Sequence, residues 1–204
     1  MHMALLERPD RERGFGKERI LRVLLSHDGA EITKYRVAQL AEVTEAWCRE
    51  YTARLEADGL IDDTEIVDAG GLYREWQKER IEPNQLTVSF QNPMDLLEAT
   101  DLAYALTTYQ AENLHQGFLF PSTTDFYVLP AEVDDWLAVV ERKGMLGGGN
   151  TRIRVLDEHV LRDTECVEGF RTVALPQLIV DLLDEGGPCE AAAEKLIASV
   201  YRAA

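Results

Sequence analysis

The sequence predicts an α+β protein, with a winged helix-turn-helix domain over residues 1–82 and a mixed α/β domain over residues 83–204. Three observations carry that expectation. Apolar residues recur at helical spacing in three segments before Gly59, each bounded by a capping residue or a glycine. A glycine-bearing turn, "DAGG", then separates two short segments that read as a hairpin. Beyond Pro83, strand-like and helix-like stretches mix over the rest of the chain.

The first helix fits "KERILRVLLSH", residues 17–27, where Ile20, Leu21, Leu24 and Leu25 share a face and Asp28-Gly29 ends it. Thr33 is a good N-cap for a second, "KYRVAQLAE", with Val37, Leu40 and Ala41 inward. Thr44 caps a third that ends near Asp58-Gly59, where glycine supplies a left-handed stop. "LIDDTEIV" and "LYREWQKERI" follow as the wing strands. In the second domain "LTVSF" alternates Leu86, Val88 and Phe90 to one side, as a half-buried strand does. Residues 93–115 read as one helix, with Leu102, Tyr104, Leu106, Tyr109 and Ala111 placing apolar side chains on more than one side; burial between domains explains that as well as a partner does. Strands follow at 124–129 and 151–157, and helices at 131–144 and 175–187. Pro176 sits suitably in the first turn of the latter. "CEAAAEKLIASVYRAA" reads as a closing helix.

A helical turn of 100° per residue divides the third helix into two faces. Cys48, Tyr51, Thr52 and Leu55 face the first two helices, while Ala46, Arg49, Glu50 and Ala53 point away, with Trp47 and Arg54 on a flank. In a helix-turn-helix the outward face enters the major groove. Arg49 has the fork to pair with guanine and Glu50 can accept from the cytosine amino group, while small Ala46 and Ala53 permit close approach. Thr44 stands at the start of this helix. Lys34, Tyr35 and Arg36 on the second helix, Arg74 and Lys78 in the wing, Arg54 and the basic stretch 8–22 are candidate backbone contacts. Ordinary solvated surface is the competing explanation for each, and winged helices also dock proteins.

The charge balance opposes easy DNA binding. The chain has 37 acids against 21 bases, a formal net charge of −16, and only 5 of the bases are lysine. A lysine-poor, acid-rich surface is what a salt-saturated cytosol favours, so a halophilic source is expected and net charge then reports solubility rather than partner choice. Phosphate attraction collapses at high salt, which shifts the burden to base edges, DNA shape and a few local bases. The bases concentrate in residues 1–82 (net −5, against −11 beyond), which is where the DNA candidates lie.

Other classes find little support. No run of about 18 apolar residues exists, so no membrane span is expected. The charged N-terminus lacks the apolar core of a secretory leader. Cys48, Cys166 and Cys189 form no C-x-x-C pair, which fits a reduced cytoplasm better than a disulfide framework or zinc finger. His2, His27, His115 and His159 share no metal spacing. "FPSTTDFYV" offers Ser122 and Asp125 but neither the glycine nor the second carboxylate that nucleotidyl transfer needs. "GMLGGGNTR" lacks the Gly-Lys-Ser/Thr ending of a phosphate loop and reads as a turn. No catalytic residue, metal or cofactor is expected.

The order of elements over nearly the whole chain, with "ALTTYQAENLHQGFLFPSTTDFYVL" and "TVALPQLIVDLLDEGG", resembles the AbiEi group of antitoxin-type transcriptional regulators. The resemblance implies an N-terminal domain that binds operator DNA and represses its own operon. It also implies a second domain that opposes a toxin of nucleotidyltransferase type. The acidic third helix departs from the usual basic recognition helix. The resulting expectation is a sequence-specific repressor of double-stranded DNA, dimeric if it matches two half-sites. The alternative is a protein-interaction module that neutralises such a toxin with little DNA binding of its own. A diverged nucleotidyltransferase is the third reading.

Overall fold

The computed structural model describes Leu6, residues 14–28 and residues 32–201. Arg8, Arg11 and Arg13 of the basic stretch lie outside these described residues, as does His2. The fold is mixed α and β, with one seven-stranded sheet and one two-stranded sheet among the described residues. The described residues form two compact units: one lies within residues 14–81 and 193–201, the other comprises Leu6 and residues 82–192. No helix among the described residues is long and apolar enough to cross a membrane.

In the helical unit, α1 (Phe15–Ser26), α2 (Lys34–Leu40) and α3 (Glu45–Ala57) follow one another closely. Ile20, Leu21, Leu24, Leu25, Val37, Cys48 and Leu55 are all buried, the faces expected from helical spacing. Thr33 and Thr44 cap α2 and α3, their hydroxyls accepting from the backbone N–H of Arg36 and Trp47. Gly59, at φ 72°, ends α3, and the Leu60 N–H reaches back to the Leu55 carbonyl at 2.9 Å.

The segment expected to form a wing differs from expectation. Its hairpin is only β1 (Ile61–Asp62) and β2 (Glu65–Ile66), turning through Asp63 at φ 56°. "LYREWQKERI", expected as the second wing strand, instead lies mostly in a helix, α4 (Ala69–Glu79). The physical reason is its spacing: Leu72, Tyr73 and Trp76 make one buried helical stripe, whereas a strand would put Arg74 between Leu72 and Trp76 on the same face. The "DAGG" glycines therefore serve a helix start. Asp68 caps α4 by accepting from the Gly71 N–H at 2.8 Å, and a Cβ on Gly71 would stand 2.4 Å from Leu60. Buried Glu18 joins α1 to the segment leaving α4, accepting from Trp76 Nε1 (2.8 Å), Arg80 Nη1 (3.0 Å) and the Ile81 N–H (2.9 Å).

The α/β unit holds β3 (Asn84–Ser89), α5 (Pro93–Glu98), β4 (Tyr104–Thr107), α6 (Thr108–Gln116), β5 (Thr124–Val128), α7 (Val133–Lys143), β6 (Met145–Leu146), β7 (Thr151–Val155), β8 (Glu165–Val167), β9 (Phe170–Thr172) and α8 (Leu175–Glu185). The last helix, α9 (Pro188–Val200), begins in this unit and ends in the helical one. Strand order is β6-β3-β7-β5-β4-β9-β8, with β5–β7 and β4–β9 parallel and the other neighbours antiparallel. The single helix expected over 93–115 is broken. "YALT" is a strand buried throughout, an apolar run whose short length leaves helix and strand indistinguishable by periodicity. The hairpin β8–β9 was not expected either. It turns on Glu168 and Gly169, both at positive φ, without the Asn-Gly or Asp-Gly pair that usually announces such a turn.

The glycine run 147–149 carries the chain from one side of β3 to the other. A Cβ on Gly149 would lie 2.2 Å from the Val88 carbonyl oxygen, so only glycine allows the crossing. Asn150 fixes the crossing by exchanging hydrogen bonds with the backbone of Phe90 at 3.1 and 2.9 Å.

Candidate nucleic-acid interface

Helices α2 and α3 are joined by residues 41–44, a tight turn closed without glycine. Glu42 takes the left-handed conformation at φ 55°, and the Val43 N–H bonds the Ala38 carbonyl at 3.0 Å. This geometry sets the two helices at once and leaves one face of α3 outside. Ala46, Arg49, Glu50 and Ala53 are exposed, while Cys48, Tyr51, Thr52 and Leu55 are buried.

Trp47 belongs to the packing. Its ring stacks on Tyr51 with centroids 5.9 Å apart, and a Cβ on Gly16 of α1 would stand 2.9 Å from its Cζ3. Tyr51 lies between two cations, with Lys17 Nζ and the Arg54 guanidinium 5.7 and 5.3 Å from its ring centroid. Burial first, then the nearby Glu75 and Glu79 carboxylates, push its hydroxyl well above the usual tyrosine range. The Thr44 hydroxyl is occupied by its cap at 3.4 Å.

The candidate bases are mostly paired with acids of their own unit. Arg49 donates to Glu45 from Nε at 2.9 Å and Nη2 at 2.7 Å. Arg54 meets Glu75 at 2.8 Å and Glu79 at 3.7 Å. Lys78 meets Glu75 at 3.4 Å, and Arg74 meets Asp68 at 3.2 Å. Both of these last bases were expected on the wing and stand on α4 instead. Lys34 bridges Glu56 at 2.9 Å and Asp63 at 3.2 Å, which anchors α2 to α3 and the hairpin turn. Burial works against its charge, but those two carboxylates outweigh it and raise its pKa. Arg36 bonds the amide of Gln39 at 3.2 Å, and Tyr35, half exposed, accepts from the same amide group at 2.7 Å. In the basic stretch, Lys17 pairs with Glu79 at 2.6 Å, Arg19 with Glu42 at 3.0 Å, and Arg22 is buried over the Trp76 ring.

A second charged cluster, unforeseen from the sequence, lies at one end of the large sheet. Buried Asp125 on β5 accepts from Thr108 Oγ1, from both Nε (2.8 Å) and Nη2 of Arg152, and from Arg154 Nη2 (3.3 Å). Glu185 closes the group on the same two arginines, at 2.9 and 3.5 Å. Thr108 reaches Asp125 from φ 48°, an uncommon conformation for a β-branched residue. Nearby Asp181 on α8 accepts from Thr107 (2.6 Å), Tyr127 (3.0 Å) and Gln177 (2.9 Å). The signal that could have announced the cluster is "TRIRV", which puts Arg152 and Arg154 on one face of a strand. Asp125 is thus engaged by side chains on every side, and Ser122 is exposed in the loop before it. Among the described residues no group of three or more His, Cys, Asp and Glu could hold a metal ion.

The chain matches no family model, no curated protein and no solved structure.

Proposed function

We propose that the helical unit binds double-stranded DNA sequence-specifically, reading bases with α3, and that the protein is a cytoplasmic repressor of its own operon, an antitoxin-type regulator of the AbiEi kind. The observation that carries this reading is the α2–α3 turn. It closes through Glu42 in the left-handed conformation and presents Ala46, Arg49, Glu50 and Ala53 as an exposed, small-residue face with one guanidinium and one carboxylate. The two-residue strands are too short for a long wing, so α3 supplies the base contacts. Arg36, Arg54, Arg74 and Lys78 would hold phosphates.

A titration of the chain's own upstream duplex, from about 0.2 to 2 M KCl, tests this reading. Specific binding that persists at high salt, and is weakened by about 1–3 kcal/mol or more in Arg49→Glu, is the expected result. No preference for that duplex over an unrelated one at any salt sinks it.

One observation favours the second reading, a protein-docking α/β unit that neutralises a nucleotidyltransferase-type toxin. Phe120 is 87% exposed in the loop after α6, and Phe118 is exposed beside it. Buried Glu112 holds that loop by accepting from the N–H groups of Phe118 and Leu119. Under that reading Arg49→Glu leaves partner binding intact.

A further inference from the structure

The acids around the candidate reading surface are arranged as partners of its bases. Glu45 precedes Arg49 by one helical turn on α3, the favourable order for such a pair, and takes both Nε and Nη2 of its guanidinium. Glu75 on α4 holds Arg54 with one carboxylate oxygen and Lys78 with the other. Asp68, while capping α4, also holds Arg74. Arginine donates to a carboxylate through the same N–H groups it would offer to a phosphate or to guanine. Exposed Glu45 therefore competes directly with DNA for Arg49, whereas Glu75, only 11% exposed, holds its cations from within the fold.

We infer that Glu45 is a specificity determinant of the DNA-binding surface: it holds Arg49 in an internal pair that a bare phosphate backbone opens poorly and a duplex offering a matched base edge opens fully. The inference rests on the DNA-binding reading of the helical unit. A phosphate that displaces a carboxylate exchanges one charged partner for another and leaves the freed acid facing the duplex, so the net gain is small. A guanine edge meeting Arg49 adds a bidentate contact that depends on sequence, and the pairing then favours the correct site by weakening all the others. The same exchange lowers the number of DNA counterions released per base engaged, which flattens the dependence on salt.

The test uses the full chain and two duplexes of equal length, its own upstream region and an unrelated sequence, titrated by fluorescence anisotropy across a range of KCl. Glu45→Gln and Glu45→Ala each remove the carboxylate that holds Arg49. Asp62→Asn, on the exposed part of the hairpin, removes an acid that pairs with no base among the described residues and reports the effect of charge alone. Relative to that control, each latch variant is expected to bind the unrelated duplex about two- to fivefold more tightly and to lose a similar factor of discrimination. Its salt slope steepens by up to about one per base released. Latch variants that match Asp62→Asn on both duplexes overturn the inference while leaving the DNA-binding reading in place. Failure of the unaltered chain to prefer its upstream duplex overturns both.

Discussion

On the helical unit, Arg49 meets Glu45 in open solvent, the two side chains being 60% and 44% exposed. In the α/β unit, Arg154 meets Asp125 with exposures of 7% and 0%. The chemistry of the pairs is the same and their consequences are opposite. In water an ion pair gains little over two hydrated charges, contributes about 0–1 kcal/mol, and exchanges readily for another partner. Out of water each charge has lost its hydration, so the pair is obligatory and removal of one member strands the other. The exposed pairs are therefore the ones that a ligand can compete for, and the buried group is a fastener for β5, β7, α6 and α8.

The strongest way to break the comparison is Asp125→Ala. It leaves Arg152 with Glu185, leaves Arg154 with Glu185 and the nearby Asp181, and removes the partner of the Thr108 hydroxyl. The expected loss is about 3–5 kcal/mol, read from urea unfolding of the full chain. A loss below about 1 kcal/mol would show that solvent reaches the cluster and that the two units do not differ in kind.

His115, in the last turn of α6, lies between the extremes. Burial lowers its pKa below the ordinary 6.5, against the opposing pull of Glu165 and Glu112, and its Nε2 sits 3.0 Å from Thr172 Oγ1. The sign follows from linkage. Above 6.5 the ring is neutral in both the folded and the unfolded chain and has no pH-dependent effect. As pH falls through 6.5 the unfolded chain takes up a proton that the folded one resists, so stability declines until the folded ring also protonates. Unfolding measured at a series of pH values should show this decline in the native chain and a shallower one in His115→Gln. Equal slopes would mean that the ring is hydrated as fully as an exposed one.

The smallest stability effect belongs to Glu45→Gln, and its smallness sharpens the contrast. The exposed Glu45–Arg49 pair contributes about 0.3–0.5 kcal/mol, so the unfolding midpoint should hardly move while the DNA titration changes. A shift above about 1 kcal/mol would instead make Glu45 a structural residue of α3.

Much of the helical unit was legible in the sequence because its signals are local. Thr33 and Thr44 declared their caps, Gly59 its left-handed stop, and the 100° rotation separated Cys48 and Leu55 from Arg49 and Glu50. The α2–α3 turn was harder to place, since Glu42 holds a conformation that sequence associates with glycine. The second strand expected of a wing fails because the glycines before "LYREWQKERI" imitate a hairpin turn, while Leu72, Tyr73 and Trp76 are spaced for a helix. In the α/β unit, "YALT" does not declare itself a strand, because a four-residue apolar run has no measurable period.

The sequence by itself determined which residues seek water and which avoid it, where helices start and stop, and that the bases gather in the first part of the chain. These follow from the chemistry of single residues and of neighbours within one or two turns. Only the tertiary structure decided which charge meets which. Asp125, Arg152 and Glu185 are brought together by strand order and by the packing of α8, and Arg54 finds Glu75 because α3 and α4 are neighbours in space. The physical reason is range. Capping and periodicity act between adjacent residues, whereas an ion pair depends on two side chains arriving within a few ångströms from distant parts of the chain, and on how much water remains between them.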